Sequence, residues 1–307
     1  MLTFISEHIH PDALKKLKKH SEIIDNIDRI EDIDAIIVRT APITREIIEK
    51  AKNLKVIGKH GIGYDNIDTE AAKEFGVKVV YTPRANAQSV AELIVTFIAS
   101  VSRNIVPNAE RLKTGKLTTN APKELIGNEM TGKTVGLIGM GNVALRAAKI
   151  LKDGFQMKII GYDPFVSEEK AISLGIRKVE TISELLPEVD YINVSVPLTD
   201  ATRNMIAKEE LAMCKPTAVL INTSRGGTVN ETDLYEALKN GTIQAAASDV
   251  FIEEPPSKDH PLLGLENFVP TPHIGASTEE AMLRMGMTVV EEVLAVVSGN
   301  KAKFEVV

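Results

Sequence analysis

The chain has 307 residues, of which 44% are hydrophobic and 25% charged, a soluble-globular balance long enough for two separate cores. Its formal charge of −6 and pI near 5.7 argue against a nucleic-acid partner, because such affinity rests on clustered Lys and Arg neutralising phosphates. Cys214 is the single cysteine, which excludes an intrachain disulfide and any cysteine-rich zinc or iron–sulfur site, and no metal site is predicted.

A reducing, cytoplasmic setting fits that cysteine count. The start "MLTFISEHIHPDALKKL" lacks the basic-then-apolar design of a signal peptide, and no run of eighteen apolar residues occurs, so neither export nor a membrane partner is expected. Along the chain, short β-branched runs alternate with helical patterns, the sign of βαβ units and parallel sheets. "LTFIS", "AIIVRT", "KVIGKHG" and "VKVVYTP" predict four strands of a first sheet. The basic run "KKLKKH" reads as the solvated face of an early helix. Asp68 is placed to cap the helix "TEAAKEF" and Gly76 to end it. "AELIVTFIASVSRNIV", residues 91–106, predicts one long apolar helix, and the polar stretch 113–132 an extended arm or linker. A second series follows: "KTVGLIG", "KIIGYD", "DYINVSV", "AVLINTS", "AAASDV" and "FVPTP" predict six strands, and 279–299 a last apolar-striped helix.

In "TVGLIGMGNVALRAAKIL" a strand runs into Gly139-Met140-Gly141-Asn142-Val143-Ala144 and then a helix. Gly139 permits the tight turn, Gly141 lets backbone approach a pyrophosphate, and Ala144 allows close helix–strand packing. Asp163 follows about two dozen residues later at the end of the next strand, near the spacing at which an acid accepts the adenosine ribose hydroxyls. A carboxylate there repels a 2′-phosphate, so NAD is the expected cofactor rather than NADP.

Three of these strand candidates run into "INTSRGG", "SDVFIEEPP" and "TPHIGAST". Ligands of open α/β sheets sit beyond the carboxyl ends of the strands, which makes Arg225, Glu254 and His273 candidates to converge. A carboxylate beside an imidazole favours its charged form and orients it, while a guanidinium grips a carboxylate with two prongs. Such a set would be a proton shuttle beside an anion clamp.

In that order, "GMGNVA", "GYDP", "SVPLTDAT", "INTSRGG", "SDVFIEEP" and "TPHIGAST" resemble the D-isomer-specific 2-hydroxyacid dehydrogenases, and "VIGKHGIGYDNID" and "ANAQSVAELIV" extend the likeness over nearly the whole chain. The resemblance implies two doubly wound parallel-sheet α/β domains. A Rossmann-type NAD domain, 101–281, would be inserted into a flavodoxin-like substrate domain, 1–100 and 282–307, with a cleft that closes on ligand. It implies His273 as acid–base residue, Glu254 rather than Glu253 as its partner, and Arg225 as the grip on the substrate carboxylate. Cofactor contacts would come from Gly139, Gly141, Asn142, Val143, Asp163, Pro197, Thr202, Thr223, Asp249 and Gly275, with Asp249 at the nicotinamide carboxamide. Substrate contacts would come from Arg39, His60, Gly61, Ile62, Gly63 and Arg225.

The same resemblance implies a homodimer built on the nucleotide domain and its arm. Two positions depart from the pattern: Asn142 stands where arginine is usual, and Ser195 where histidine is frequent. Within the family, "VRTAPIT" and "TPRANAQSVAE" are most similar to phosphoglycerate dehydrogenases, with Arg39 meeting a phosphate. The end at Val307 implies a short member without the amino-acid-binding regulatory domain. Glyoxylate, hydroxypyruvate or another 2-keto acid stays open as substrate, as does a nicotinamide-sensing binding protein resembling the corepressors of the same fold.

Overall fold

A computed structural model describes residues 1–117 and 123–307; part of the predicted arm, residues 118–122, lies outside these. The described chain divides into two compact units, Met1–Ser89 with Ala276–Val307, and Val90–Gly275.

The first unit holds a five-stranded sheet. Its strands are β1 (Leu2–Ile5), β2 (Glu22–Ile24), β3 (Ala35–Val38), β4 (Val56–Lys59) and β5 (Lys78–Val80), all parallel, in the order β2-β1-β3-β4-β5. This is the flavodoxin-like order. Helices α1 (Pro11–Leu17), α2 (Arg45–Lys50) and α3 (Thr69–Glu74) connect the strands. "AIIV" and "VIGK" are buried at every position, as strands covered on both faces must be. The strand β2 escapes prediction because "EII" is three residues long, at an edge, and none of its side chains is fully buried. At the other edge the C-terminal residues run antiparallel to β5, with Val306 N donating to Val79 O and Val79 N to Val307 O, so that edge is covered.

The second unit holds seven parallel strands. They are β6 (Thr134–Ile138), β7 (Lys158–Tyr162), β8 (Arg177–Lys178), β9 (Tyr191–Val194), β10 (Val219–Asn222), β11 (Ala245–Ser248) and β12 (Phe268–Pro270), ordered β12-β11-β10-β9-β6-β7-β8. Six of them are the predicted ones, and the seventh, β8, is two charged residues at an edge with no apolar alternation to read. The strand order reverses at β6, the position where such sheets bind nucleotides.

The predicted single helix over 91–106 is two helices, α4 (Ala87–Ser102) and α5 (Ile105–Lys113), at 60° to each other. Asn104 breaks it by adopting a left-handed conformation, φ 51°. Asparagine tolerates that region better than most residues. The remaining helices are α6 (Asn142–Phe155), α7 (Glu168–Ser173), α8 (Ile182–Leu185), α9 (Lys208–Met213), α10 (Glu231–Lys239) and α11 (Glu279–Val297). Among the described residues no single helix is long and apolar enough to cross a membrane.

The units part at 89/90 and 275/276, not at the expected 100/101 and 281/282. Packing explains both shifts. Val90, Ala91, Ile94, Phe97, Ile98 and Val101 of α4 are buried in one core with Leu137, Ala144 and Tyr191 of the second unit. In the first unit, Val289, Val290 and Val293 of α11 share a core with Ile37, Val56 and Val80. The start of α11 stays with that unit as well, since Thr278 caps it and Glu279 meets His10 Nε2 at 2.9 Å.

Candidate active site

The glycine-rich turn joins β6 to α6. Gly139 has φ +90°, and a Cβ there would lie 2.5 Å from Ser195 O, so the turn admits only glycine at this position. Gly141 faces open space where its Cβ would be, and no side chain caps the N-terminus of α6. Asn142 and Val143 open that helix, leaving first-turn N–H groups pointing outward. Asp163 sits just beyond β7, its Oδ2 accepting from Met140 N at 2.8 Å and its Oδ1 from Phe165 N at 2.8 Å. Just beyond β10, Thr223 keeps a buried hydroxyl with no hydrogen-bond partner among the described residues. Open space at Gly141, an uncapped helix start and an unpartnered buried hydroxyl along one sheet edge fit a dinucleotide.

Pro197 and Thr202 lie together in one turn, where Thr202 Oγ1 donates to Pro197 O at 2.6 Å and accepts from Thr199 N at 2.8 Å. Asn222, at the end of β10, builds the arginine turn. Its Oδ1 accepts from Ser224 N and Oγ, and its Nδ2 donates to Arg225 O, while Arg225 Nη1 donates to Ser224 O at 2.8 Å.

His273 follows β12 with φ +52°, a strained conformation for a residue with a Cβ and of the kind concentrated at functional sites. Asp249, 2% exposed beyond β11, holds that turn. Its Oδ1 accepts from Thr271 Oγ1 and Ile274 N at 2.5 and 2.7 Å, and its Oδ2 from Gly275 N at 2.7 Å. Burial raises the Asp249 pKa, against the opposing effect of those three donors and of the His273 charge. Asp249 thus spends both oxygens on the histidine turn, a use that sequence matching does not disclose.

His273 Nδ1 lies 2.6 Å from Glu254 Oε2, with the two side chains 33% and 32% exposed. Glu254 Oε1 accepts from Phe251 N at 3.1 Å. Burial pushes the Glu254 pKa up, but the His273 hydrogen bond and charge, the Phe251 N–H and the Arg225 charge outweigh it, so the pKa is lowered. The unit therefore brings Arg225, Glu254 and His273 into electrostatic reach of one another. With Nδ1 on the carboxylate, the imidazole keeps Nε2 for another partner, an arrangement that can deliver and recover a proton at one atom.

In the other unit, Arg39 leaves the end of β3 with its Nη2 donating to Ser277 Oγ at 2.7 Å and Nη1 reaching Met282 Sδ at 3.8 Å. His60 follows β4 and is 1% exposed; burial first, and the Arg39 charge second, push its pKa down to about 4, so it is neutral at physiological pH. Gly61, Ile62 and Gly63 follow, and Gly61 O is fixed by donation from Thr82 N and Oγ1 at 3.0 and 3.1 Å. Glu7, absent from the sequence candidates, organises the turn that carries Arg39. Its Oε2 accepts from Arg39 N at 2.8 Å and its Oε1 from Thr40 N, Thr40 Oγ1 and Ala41 N at 2.6, 2.7 and 2.8 Å. Burial pushes its pKa up, yet the donors from Ser6, Thr40 and Arg39 together bring it to about 2. A lone glutamate after a strand carries no spacing signal that would have marked it.

Comparison with known proteins identifies the family. Residues 95–275 match the model of the D-isomer specific 2-hydroxyacid dehydrogenase NAD binding domain, so NAD is the cofactor of this unit. The chain is 44% identical over 97% of its length to the D-3-phosphoglycerate dehydrogenase of Methanocaldococcus jannaschii, of which it spans 58%. It is 43% identical over 95% of its length to the hydroxypyruvate reductase of Thermotoga maritima, spanning 90% of that protein. The crystal structure of TT0316 protein from Thermus thermophilus superposes with a TM-score of 0.93 over all of both chains at 31% identity. The chain belongs to the D-isomer-specific 2-hydroxyacid dehydrogenase family.

Proposed function

We propose that the protein is an NAD-dependent oxidoreductase interconverting a small D-2-hydroxy acid and its 2-keto acid, with 3-phosphoglycerate and 3-phosphohydroxypyruvate as its preferred pair. The observation that carries the reaction class is the 2.6 Å contact of His273 Nδ1 with Glu254, within the field of Arg225. When bound, NAD supplies or accepts the hydride at C2. His273 Nε2 gives its proton to the keto oxygen in reduction and takes the hydroxyl proton in oxidation. Glu254 holds the ring by Nδ1 and favours the imidazolium that oxidation produces. Arg225 grips the substrate carboxylate and polarises the C2 oxygen. In the other unit, this reading assigns the backbone N–H groups of 61–63 to substrate. Gly139, Gly141, Asn142 and Val143 would hold the pyrophosphate and Asp163 the ribose hydroxyls; Asp249 would act on the nicotinamide side by fixing the 273–275 turn.

The phosphate preference rests on Arg39, partly buried and oriented by Ser277, and on the likeness to the archaeal phosphoglycerate dehydrogenase. A second reading, a hydroxypyruvate or glyoxylate reductase, is favoured by the 43% identity to the hydroxypyruvate reductase over 90% of that protein. Rates of NADH oxidation against a panel of 2-keto acids separate the two. Arg39→Ala is expected to raise KM for 3-phosphohydroxypyruvate steeply, since a charge pair at short range and intermediate dielectric is worth about 4 kcal/mol. Unphosphorylated hydroxypyruvate should be used almost as before. Equal losses on both substrates, or on neither, favour the second reading. Failure of all 2-keto acids to oxidise NADH, with NADH still binding, would favour a sensing protein.

A homodimer is part of this proposal. Ile105, Val106 and Leu112 of α5 and Ile126 beyond it are 53%, 47%, 71% and 73% exposed, large apolar side chains of the nucleotide unit that this reading buries against a second copy.

A further inference from the structure

A second glutamate–histidine pair stands behind the first. Glu231 opens α10, and its Oε1 accepts from Ile252 N at 2.7 Å while its Oε2 lies 3.2 Å from His260 Nε2; both side chains are 19% exposed. The His260 ring packs edge-on to Phe251 with centroids 5.4 Å apart, and its Nδ1 is buried without a hydrogen-bond partner among the described residues. The peptide joining Phe251 to Ile252 is therefore tethered on one side by a carboxylate. On the other side lies Gly226, next in sequence to Arg225, where a Cβ would fall 2.0 Å from Phe251 O and 2.4 Å from Ile252 N. One turn later, Phe251 N donates to Glu254 Oε1, and the other oxygen of Glu254 holds His273.

We propose that Glu231, steadied by His260, is a positioning residue for the acid–base pair: by fixing the Phe251–Ile252 peptide against Gly226 it sets the angle at which Glu254 meets His273 and the place of the Arg225 turn. The inference rests on the reading of His273 and Glu254 as the acid–base pair. A carboxylate suits the position because a charged acceptor forms a shorter, stronger hydrogen bond to N–H than a neutral one. It also sits in the first turn of α10, where the helix dipole favours negative charge. Glu254 and Asp249 both interact with the His273 charge, and Arg225 with that of Glu254, so the position of Glu254 bears directly on the pair.

The test compares Glu231→Ala, Glu231→Gln, His260→Phe and Glu254→Gln in the full chain, by pH–rate profile, KM for NADH and thermal unfolding. Glu231→Ala should lower kcat roughly 10- to 100-fold, the scale set by sub-ångström misplacement of a reacting group. NADH KM should stay within about twofold, and the histidine's apparent pKa should fall in the same direction as in Glu254→Gln. Glu231→Gln keeps an amide oxygen for Ile252 N–H and should recover most of both. His260→Phe keeps the ring against Phe251 but removes the Nε2 contact, and should give a smaller shift of the same sign; it serves if the alanine variant does not fold. An unmoved profile in a folded Glu231→Ala, or in His260→Phe where the alanine variant fails to fold, overturns the proposal provided Glu254→Gln moves it. An unmoved profile in Glu254→Gln itself overturns the acid–base reading instead, and this proposal with it.

Discussion

At the scale of single residues, the proposed chemistry divides between side chains assigned to ligand and carboxylates that hold the loops. His273→Ala is expected to lower turnover roughly 10²- to 10⁴-fold while leaving NADH binding nearly unchanged, because it removes a general acid–base group and no dinucleotide contact. Stopped-flow turnover beside a fluorescence titration of NADH checks this, and near-normal turnover in a folded variant would remove His273 from the mechanism. Asp163→Ser should raise the preference for NADP relative to NAD, since the charge that repels a 2′-phosphate disappears. The contact of Asp163 with Met140 N adds a second expectation, a weaker affinity for both cofactors, because the glycine turn loses an acceptor. A cofactor ratio that stays put would reduce Asp163 to a turn residue. These residues were legible because each follows a strand within a recognisable run. Glu7 and Glu231 were not, since an isolated glutamate looks the same in sequence whether it faces solvent or collects several donors.

At the scale of elements, strands buried on both faces declared themselves by unbroken Ile, Val and Ala runs, whereas the edges did not. The strands β2 and β8 carry charge and little apolar pattern, so only their pairing with β1 and β7 defines them. The break between α4 and α5 was hidden for a related reason: the apolar period continues through Asn104, and one left-handed residue redirects it. The turn after β3 offers a test at this scale. Glu7→Gln should lower stability at neutral pH by roughly 1–3 kcal/mol, since charge-assisted acceptance from three consecutive N–H groups is lost. The Glu7 pKa is lowered in the folded state, so the unfolded chain binds the extra proton and the stabilisation is complete above about 4.5 and fades as pH falls toward 2. Urea unfolding of both proteins across that window should show their midpoints converging in acid. A constant gap would mean that the carboxylate charge is not what holds the turn.

At the scale of the whole molecule, the exposed apolar side chains on α5 and at Ile126 predict self-association. Leu112→Asp should shift the mass measured by light scattering from dimer toward monomer without changing NADH binding. A mass that does not respond places the interface elsewhere. The division of the chain into one unit made from two separated segments, called outer here by sequence alone, and one made from the segment between them, the inner unit, has a temporal consequence. On the ribosome, strands β1 to β5 emerge before the middle of the chain, but the helix α11 that shares a core with Ile37, Val56 and Val80, and the residues that pair with the edge of β5, are synthesised only after it. At ordinary elongation rates the half-covered sheet waits roughly 10 to 40 s while the inner unit is made. The inner unit, contiguous from Val90 to Gly275, has no such wait. Vectorial synthesis thus lets the inner unit complete its fold before the sheet made of β1 to β5 gains its last cover, and a sheet with exposed apolar surface is an aggregation-prone stage.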